Sequence, residues 1–139
     1  MSDAANRPKP LHTPESEPYW QSAREHRLQI QKCSHCNRFI HYPRTLCPTC
    51  FEDDLVWEPV SGNGVVLTWS VAHRAPHSAF KLLVPFAIVV ADMAEGFRMV
   101  ANVQGIELAE LSPGLPVRVN YLDLEADFTI PIFEHAERR

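Results

Sequence analysis

Four cysteines are the residues of this chain best suited to chemistry. Cys33-Ser-His-Cys36 and Cys47-Pro-Thr-Cys50 form two C-x-x-C pairs with ten residues between them. A tetrahedral divalent ion takes four soft ligands, and each tight knuckle can present two thiolates on one side while its backbone amides steady the sulfurs. Two knuckles complete a shell and leave no position open for water, so the expected centre is structural: one zinc on Cys33, Cys36, Cys47 and Cys50. Iron in a rubredoxin-like centre uses the same four ligands, and the spacing leaves it open. The alternatives are a disulfide pair and a thioredoxin-like dithiol. The start, Met-Ser-Asp-Ala-Ala-Asn-Arg-Pro, lacks the apolar h-region of a secretory signal, which places the chain in the reducing cytoplasm and argues against disulfides. Duplication of the motif within eighteen residues argues against a redox dithiol. The residue after such a pair often takes a left-handed backbone, which Asn37 tolerates and Phe51 does not. His35, inside the first knuckle, reads as a solvent-facing bystander.

A second candidate is the segment His73-Arg-Ala-Pro-His-Ser-Ala-Phe-Lys81. Arg74 and Lys81 could pair with phosphates and Phe80 could supply an apolar or stacking contact, although an ordinary exposed loop has the same composition. His73 and His77 are four apart, but Pro76 interrupts the helical spacing that a metal pair would need. No G-x-S-x-G, Gly-rich phosphate loop or H-E-x-x-H occurs. Tyr42, Trp57 and Trp69 are candidates for stacking on bases, with Trp69 the one most easily explained as core.

The elements that must position these residues follow from length and pattern. The 139 residues allow one medium domain or two small ones, and no uncharged apolar run approaches the roughly 18 residues of a membrane-spanning helix. Composition shifts at Arg27 and at Trp57, dividing the chain into 1–27, 28–57 and 58–139. The first piece reads as a flexible tail followed by a helix from Pro14 to Arg27, with Thr13 as N-cap. Its narrow stripe of Tyr19, Trp20 and Ala23 serves equally well to pack on its own domain or to dock a partner. The second piece contains all four cysteines and few aliphatics, so a metal must staple it. The third is β: a turn at Ser61 to Gly64, a strand at 65–72 with Val65, Leu67, Trp69 and Val71 on one face, and a strand at 84–91 buried on both faces. Ala94-Glu95-Gly96 turns that strand into a third at 97–103. A short helix or irregular turn at 106–111 leads to strands at 116–122 and 128–133, the last with Phe128, Ile130 and Ile132 on one face. Five strands with this connector predict a Greek-key barrel of the OB type, so the chain is mainly β, with an N-terminal helix, a ribbon and a C-terminal five-stranded OB-fold.

Charge weighs against one use of that fold. The pieces carry four basic and four acidic residues, three of each, and six basic against ten acidic. All the net charge of −4 lies in the barrel, opposite in sign to a general polyanion binder.

In order, the chain shows Tyr19-Trp20 on a helix, C-x-x-C, His41-Tyr42-Pro43-Arg44, Cys47-Pro48-x-Cys50, Ser61-Gly62-x-Gly64, Pro85-Phe86 and Gly114-x-Pro116-Val117. This resembles the DUF35 family, a rubredoxin-like zinc ribbon followed by an OB-fold and associated with acyl-CoA metabolism. His26 and Asn37 depart from it, since family members commonly carry glycine there. The resemblance implies an accessory role: a non-catalytic acyl-CoA-binding or scaffold subunit that docks on a thiolase-like, aldolase-like or MaoC-like hydratase enzyme. CoA carries phosphates and an adenine on a long arm, and Arg74, Phe80 and Lys81 would meet it in one loop. The competing expectation is a single-stranded nucleic-acid binder, since ribbons and OB barrels both serve that purpose.

Overall fold

The computed structural model describes residues 7–137. One helix, α1 (Glu17–Arg24), precedes a three-stranded antiparallel sheet of β1 (Gln29–Cys33), β2 (Phe39–Ile40) and β3 (Leu55–Pro59) in the order β2-β1-β3. A second sheet follows: β4 (Asn63–Ala72), β5 (Phe86–Met93), β6 (Arg98–Asn102), β7 (Pro116–Glu125) and β8 (Phe128–His135), in the order β6-β5-β4-β7-β8. A parallel bridge between Val103 and Phe133, with the Gln104 amide donating to the Phe133 carbonyl at 2.9 Å, joins its two ends. That closure makes the sheet a barrel and leaves little open edge.

The helix is shorter than its pattern predicts. Thr13 and Ser16 exchange hydrogen bonds in a turn ahead of it, so Ser16 takes the N-cap position and Pro18 falls at the second helical residue, where its missing N–H is harmless. At the other end the amides of His26 and Arg27 donate to the carbonyls of Ala23 and Ser22, which stops the helix with His26 at φ 58°. That left-handed position explains why glycine would suit it. Here His26 gains compensation from the barrel: its Nε2 lies 2.9 Å from the Asp123 carboxylate and its ring stacks on Tyr121. The stripe of the helix is used internally, with Tyr19 and Ala23 buried.

Three barrel strands differ from their alternation. β4 begins at Asn63, not after a turn ending at Gly64, and a bulge between Val66 and Thr68 reverses its phase. Val66 opposite Ala91 is therefore buried and Val65 is exposed, while beyond the bulge Trp69 opposite Val89 returns to the core side. β5 is not buried on both faces: Ala87, Val89, Ala91 and Met93 are inside and Ile88 is exposed, because only one face meets the barrel interior. β8 is the strand buried on both faces, with Phe133 in the core and Phe128 and Ile132 on the opposite side.

Ribbon and barrel share one core. Leu28 and Ile30 of the ribbon side pack with Val66, Val89, Met99, Val117 and Phe133, so burial lacking within the ribbon is supplied by its neighbour. Contacts begin ahead of Thr13, where the sequence predicts order to start, with Arg7 and Lys9 on the barrel and His12 on the helix. Lys9 pairs with Glu125 at 2.9 Å and Asp127 at 3.2 Å, and His12 stacks on Trp20. The first six residues of the expected tail lie outside the described residues.

Candidate metal centre and barrel cavity

The two knuckles repeat one hydrogen-bond pattern. The Cys33 amide donates to the Arg38 carbonyl and the Asn37 amide to the Cys33 carbonyl, at 2.9 and 2.8 Å. The Cys47 amide donates to the Glu52 carbonyl and the Phe51 amide to the Cys47 carbonyl, both at 2.9 Å. This pattern requires a left-handed residue after each pair, at Asn37 (φ 63°) and at Phe51 (φ 65°). Phe51 takes the conformation although its side chain disfavours it, because the second knuckle's hydrogen bonds impose it. Buried Gln31 on β1 pins the intervening loop, its side-chain oxygen accepting the Arg44 amide at 2.7 Å and its nitrogen donating to the Arg44 carbonyl at 2.9 Å.

The result brings all four sulfurs within 4.8 Å of one another. Cys33 Sγ and Cys50 Sγ are 3.5 Å apart, and Cys36 Sγ and Cys47 Sγ 3.7 Å. A disulfide needs about 2.05 Å. Sulfurs at about 2.3 Å from a central ion stand about 3.8 Å apart at the corners of a regular tetrahedron, so these spacings fit a zinc shell. Amide donors from Cys36 and Thr49 approach Cys33 Sγ and Cys47 Sγ at 3.5 and 3.4 Å. The thiols also divide electrostatically. The amide of Cys50, with that of Thr49, brings Cys47 down to about 6; against the lowering pull of the Glu52 amide, desolvation and the neighbouring sulfurs push Cys50 up to about 12. Four thiolates this close repel, and a divalent cation removes that repulsion.

The loop between β4 and β5 carries its three expected binding residues in different surroundings. Arg74 and Lys81 are exposed and Phe80 is turned inward, its ring 5.5 Å from Phe86. His77 caps the short 3-10 helix Ser78–Phe80, its Nδ1 accepting the Ala79 amide at 3.1 Å. Phe80 and Phe86 instead line a cavity of about 470 Å³ with Ile106, Leu122 and Ile132. Arg7 lies in the same wall, its guanidinium 5.2 Å from the Phe80 ring centre. Reading the sequence missed Arg7, a cation in a proline-containing segment 73 positions from Phe80; no local pattern marks it.

His41 likewise carries no local signal that marks it individually. Its ring sits among Tyr19, Tyr42 and Phe97 where helix, ribbon and barrel meet, and both ring nitrogens are buried without a hydrogen-bond partner. Burial holds it neutral by lowering its pKa to about 4. Of the stacking candidates, Trp57 and Trp69 pack against the core, and Tyr42 is half exposed with its hydroxyl engaged by the barrel.

A four-cysteine ribbon fused through a shared core to a closed five-stranded barrel defines a zinc-ribbon/OB-fold protein. Residues 20–56 match the family model for the rubredoxin-like zinc ribbon domain of ChsH2, and residues 57–122 the model for its C-terminal OB-fold domain. The chain belongs to the DUF35 family. It is 31% identical over 103 residues to a DUF35 domain-containing scaffold protein of Pyrococcus furiosus, covering 73% of this chain and 74% of that protein. It is 34% identical over 134 residues to a probable enoyl-CoA hydratase alpha subunit of Thermomonospora curvata, covering 95% of this chain and 41% of that subunit, so it spans about two fifths of that relative. A solved chain described as Ltp2-ChsH2(DUF35) aldolase superposes with a TM-score of 0.83 at 31% identity, over 92% of this chain and 99% of that one.

Proposed function

We propose that this chain is a non-catalytic accessory subunit of acyl-CoA metabolism that docks on a thiolase-like, aldolase-like or hydratase-like enzyme and contributes contacts to the acyl-CoA. The observation that carries the reading is the match over 99% of a solved chain described as Ltp2-ChsH2(DUF35) aldolase, at 31% identity. A relative named as a hydratase alpha subunit and another named as a scaffold support the same class. Within the reading, the four cysteines hold one structural zinc, the cytoplasm supplies the reducing setting in which their thiols persist, and Arg74 and Lys81 meet phosphates beside Phe80. The helix stripe is occupied by the protein itself, so the partner contacts surface beyond it.

The test is co-expression with genome-adjacent thiolase-like, aldolase-like and hydratase-like proteins, followed by an acyl-CoA assay with and without this chain. Co-purification with one of them and a rise in its turnover are expected. Arg74→Ala with Lys81→Ala should weaken use of the CoA ester while leaving assembly intact. Absence of any such partner, together with submicromolar and steeply salt-dependent binding of oligo-dT, would replace the proposal with single-stranded nucleic-acid binding.

A further inference from the structure

The cavity beside the β4–β5 loop has a composition that selects its occupant. Its walls are mainly apolar, from Phe80, Phe86, Ile106, Leu122 and Ile132, and its volume of about 470 Å³ lies in the range of small-ligand sites. Into this wall, among the described residues, the fold brings one cation. Arg7 Nε is buried with no hydrogen-bond partner, the guanidinium lies over Phe80, and among the described residues Arg7 forms no ion pair. The contrast with its neighbour is direct, since Lys9, two residues on, is paired with both Glu125 and Asp127. Among the described residues Glu107 is the only carboxylate in the cavity lining; it is exposed and belongs to the capping box of the 3-10 helix Leu108–Glu110. Gln104 adds an amide to the same wall.

A guanidinium keeps its charge even where burial lowers its pKa, as it does for Arg7. Held against apolar surface without an acceptor, it leaves a buried donor unsatisfied. A ligand that ends in an anion would supply that acceptor, and a hydrocarbon chain attached to it would fill the remainder of the cavity.

From this geometry we infer that the cavity binds an apolar chain carrying an anionic end, with the chain against Phe80, Phe86 and Ile132 and the anion on Arg7. The inference rests on the acyl-CoA reading only for the choice of probes. Two sources share the chemistry: the carboxylate of a free fatty acid, and the phosphate of an alkyl phosphate monoester.

The metal-loaded full chain is titrated calorimetrically, below micelle formation, with dodecanoate, dodecyl phosphate and dodecanol. The charged probes should bind at least tenfold more tightly than dodecanol, and each added buried methylene should gain roughly fourfold. Arg7→Gln should erase the preference for charge while retaining the dependence on chain length. Leu108→Trp, at a half-buried position in the lining, should weaken every probe about tenfold with metal content unchanged. Preference for dodecanoate points to the free acid and preference for dodecyl phosphate to the phosphate monoester. Equal binding of dodecanol and dodecanoate, indifference to Arg7→Gln, or no binding up to millimolar probe overturns the inference. Partner co-purification is read separately, so a chain that assembles with its enzyme but ignores both charged probes refutes this inference alone.

Discussion

The hydroxyl of Tyr42, in the loop between the two cysteine knuckles, accepts the backbone amide of Val100 on edge strand β6 at 3.0 Å. A ribbon side chain thereby satisfies a donor that the barrel's own ladder leaves free, and fixes the angle at which the ribbon sits. The cost of leaving such a donor unpaired gives the contact its weight. Tyr42→Phe should keep the packing and lose about 1 kcal/mol of stability. Hydrogen exchange should report it locally, with the Val100 amide accelerated and amides in the middle of β5 unchanged; equal protection of Val100 in both proteins would refute the role.

The metal centre makes its own prediction. Elemental analysis should find about one zinc or iron per chain, and Cys47→Ser should lose it and loosen residues 33–55, because three thiolates leave the shell incomplete. Full occupancy in the mutant would remove Cys47 from the ligand set. The strained neighbour offers a converse test. Phe51→Gly relieves the left-handed backbone at an exposed side chain and should raise stability by up to about 1 kcal/mol with the metal retained.

Gly64 is required for a reason other than backbone freedom. A Cβ there would meet the Asp92 carbonyl oxygen at 2.7 Å and the Met93 Sδ at 2.8 Å, where β4 crosses β5. The clash is with backbone, which cannot rotate away, so Gly64→Ala should lose about 3 kcal/mol in a denaturant titration. A change under a few tenths of a kcal/mol would show that the strands can separate there.

His41 should make stability depend on pH. Its folded pKa, about 4, lies below the ordinary histidine value of about 6.5, so the unfolded chain takes up the proton first. The neutral ring's contribution is fully present above about 6.5 and is lost as pH falls toward about 4, an effect on the order of 3 kcal/mol in all. Tyr19, Tyr42 and Phe97 around the ring offer the charged form no anion, and Asp92 in the adjoining cavity is paired with Arg98 at 3.0 Å. Denaturant midpoints measured from pH 7 to pH 5, with metal content followed in parallel, should slope less steeply in His41→Phe than in the parent. Parallel slopes would exclude His41 as the source.

What the sequence determined by itself was local. All four metal ligands fall within eighteen residues, so spacing and thiolate chemistry sufficed to group Cys33, Cys36, Cys47 and Cys50. The β5–β6 hairpin and the five barrel strands were likewise legible from alternation and turn residues, since each needs only its own few positions. Tertiary structure decided where local preference could be overruled or had nothing to say. The bulge near Leu67 turned Val65 outward and Val66 inward because the barrel must coil there, and Phe51 adopted a left-handed backbone because its knuckle's hydrogen bonds outweigh its side chain's preference. Tyr42 met Val100 across 58 residues, and Arg7 met Phe80 across 73. Contacts at such separations leave no period or spacing in the chain; they exist only once the ribbon, the N-terminal segment and the barrel have packed on one another.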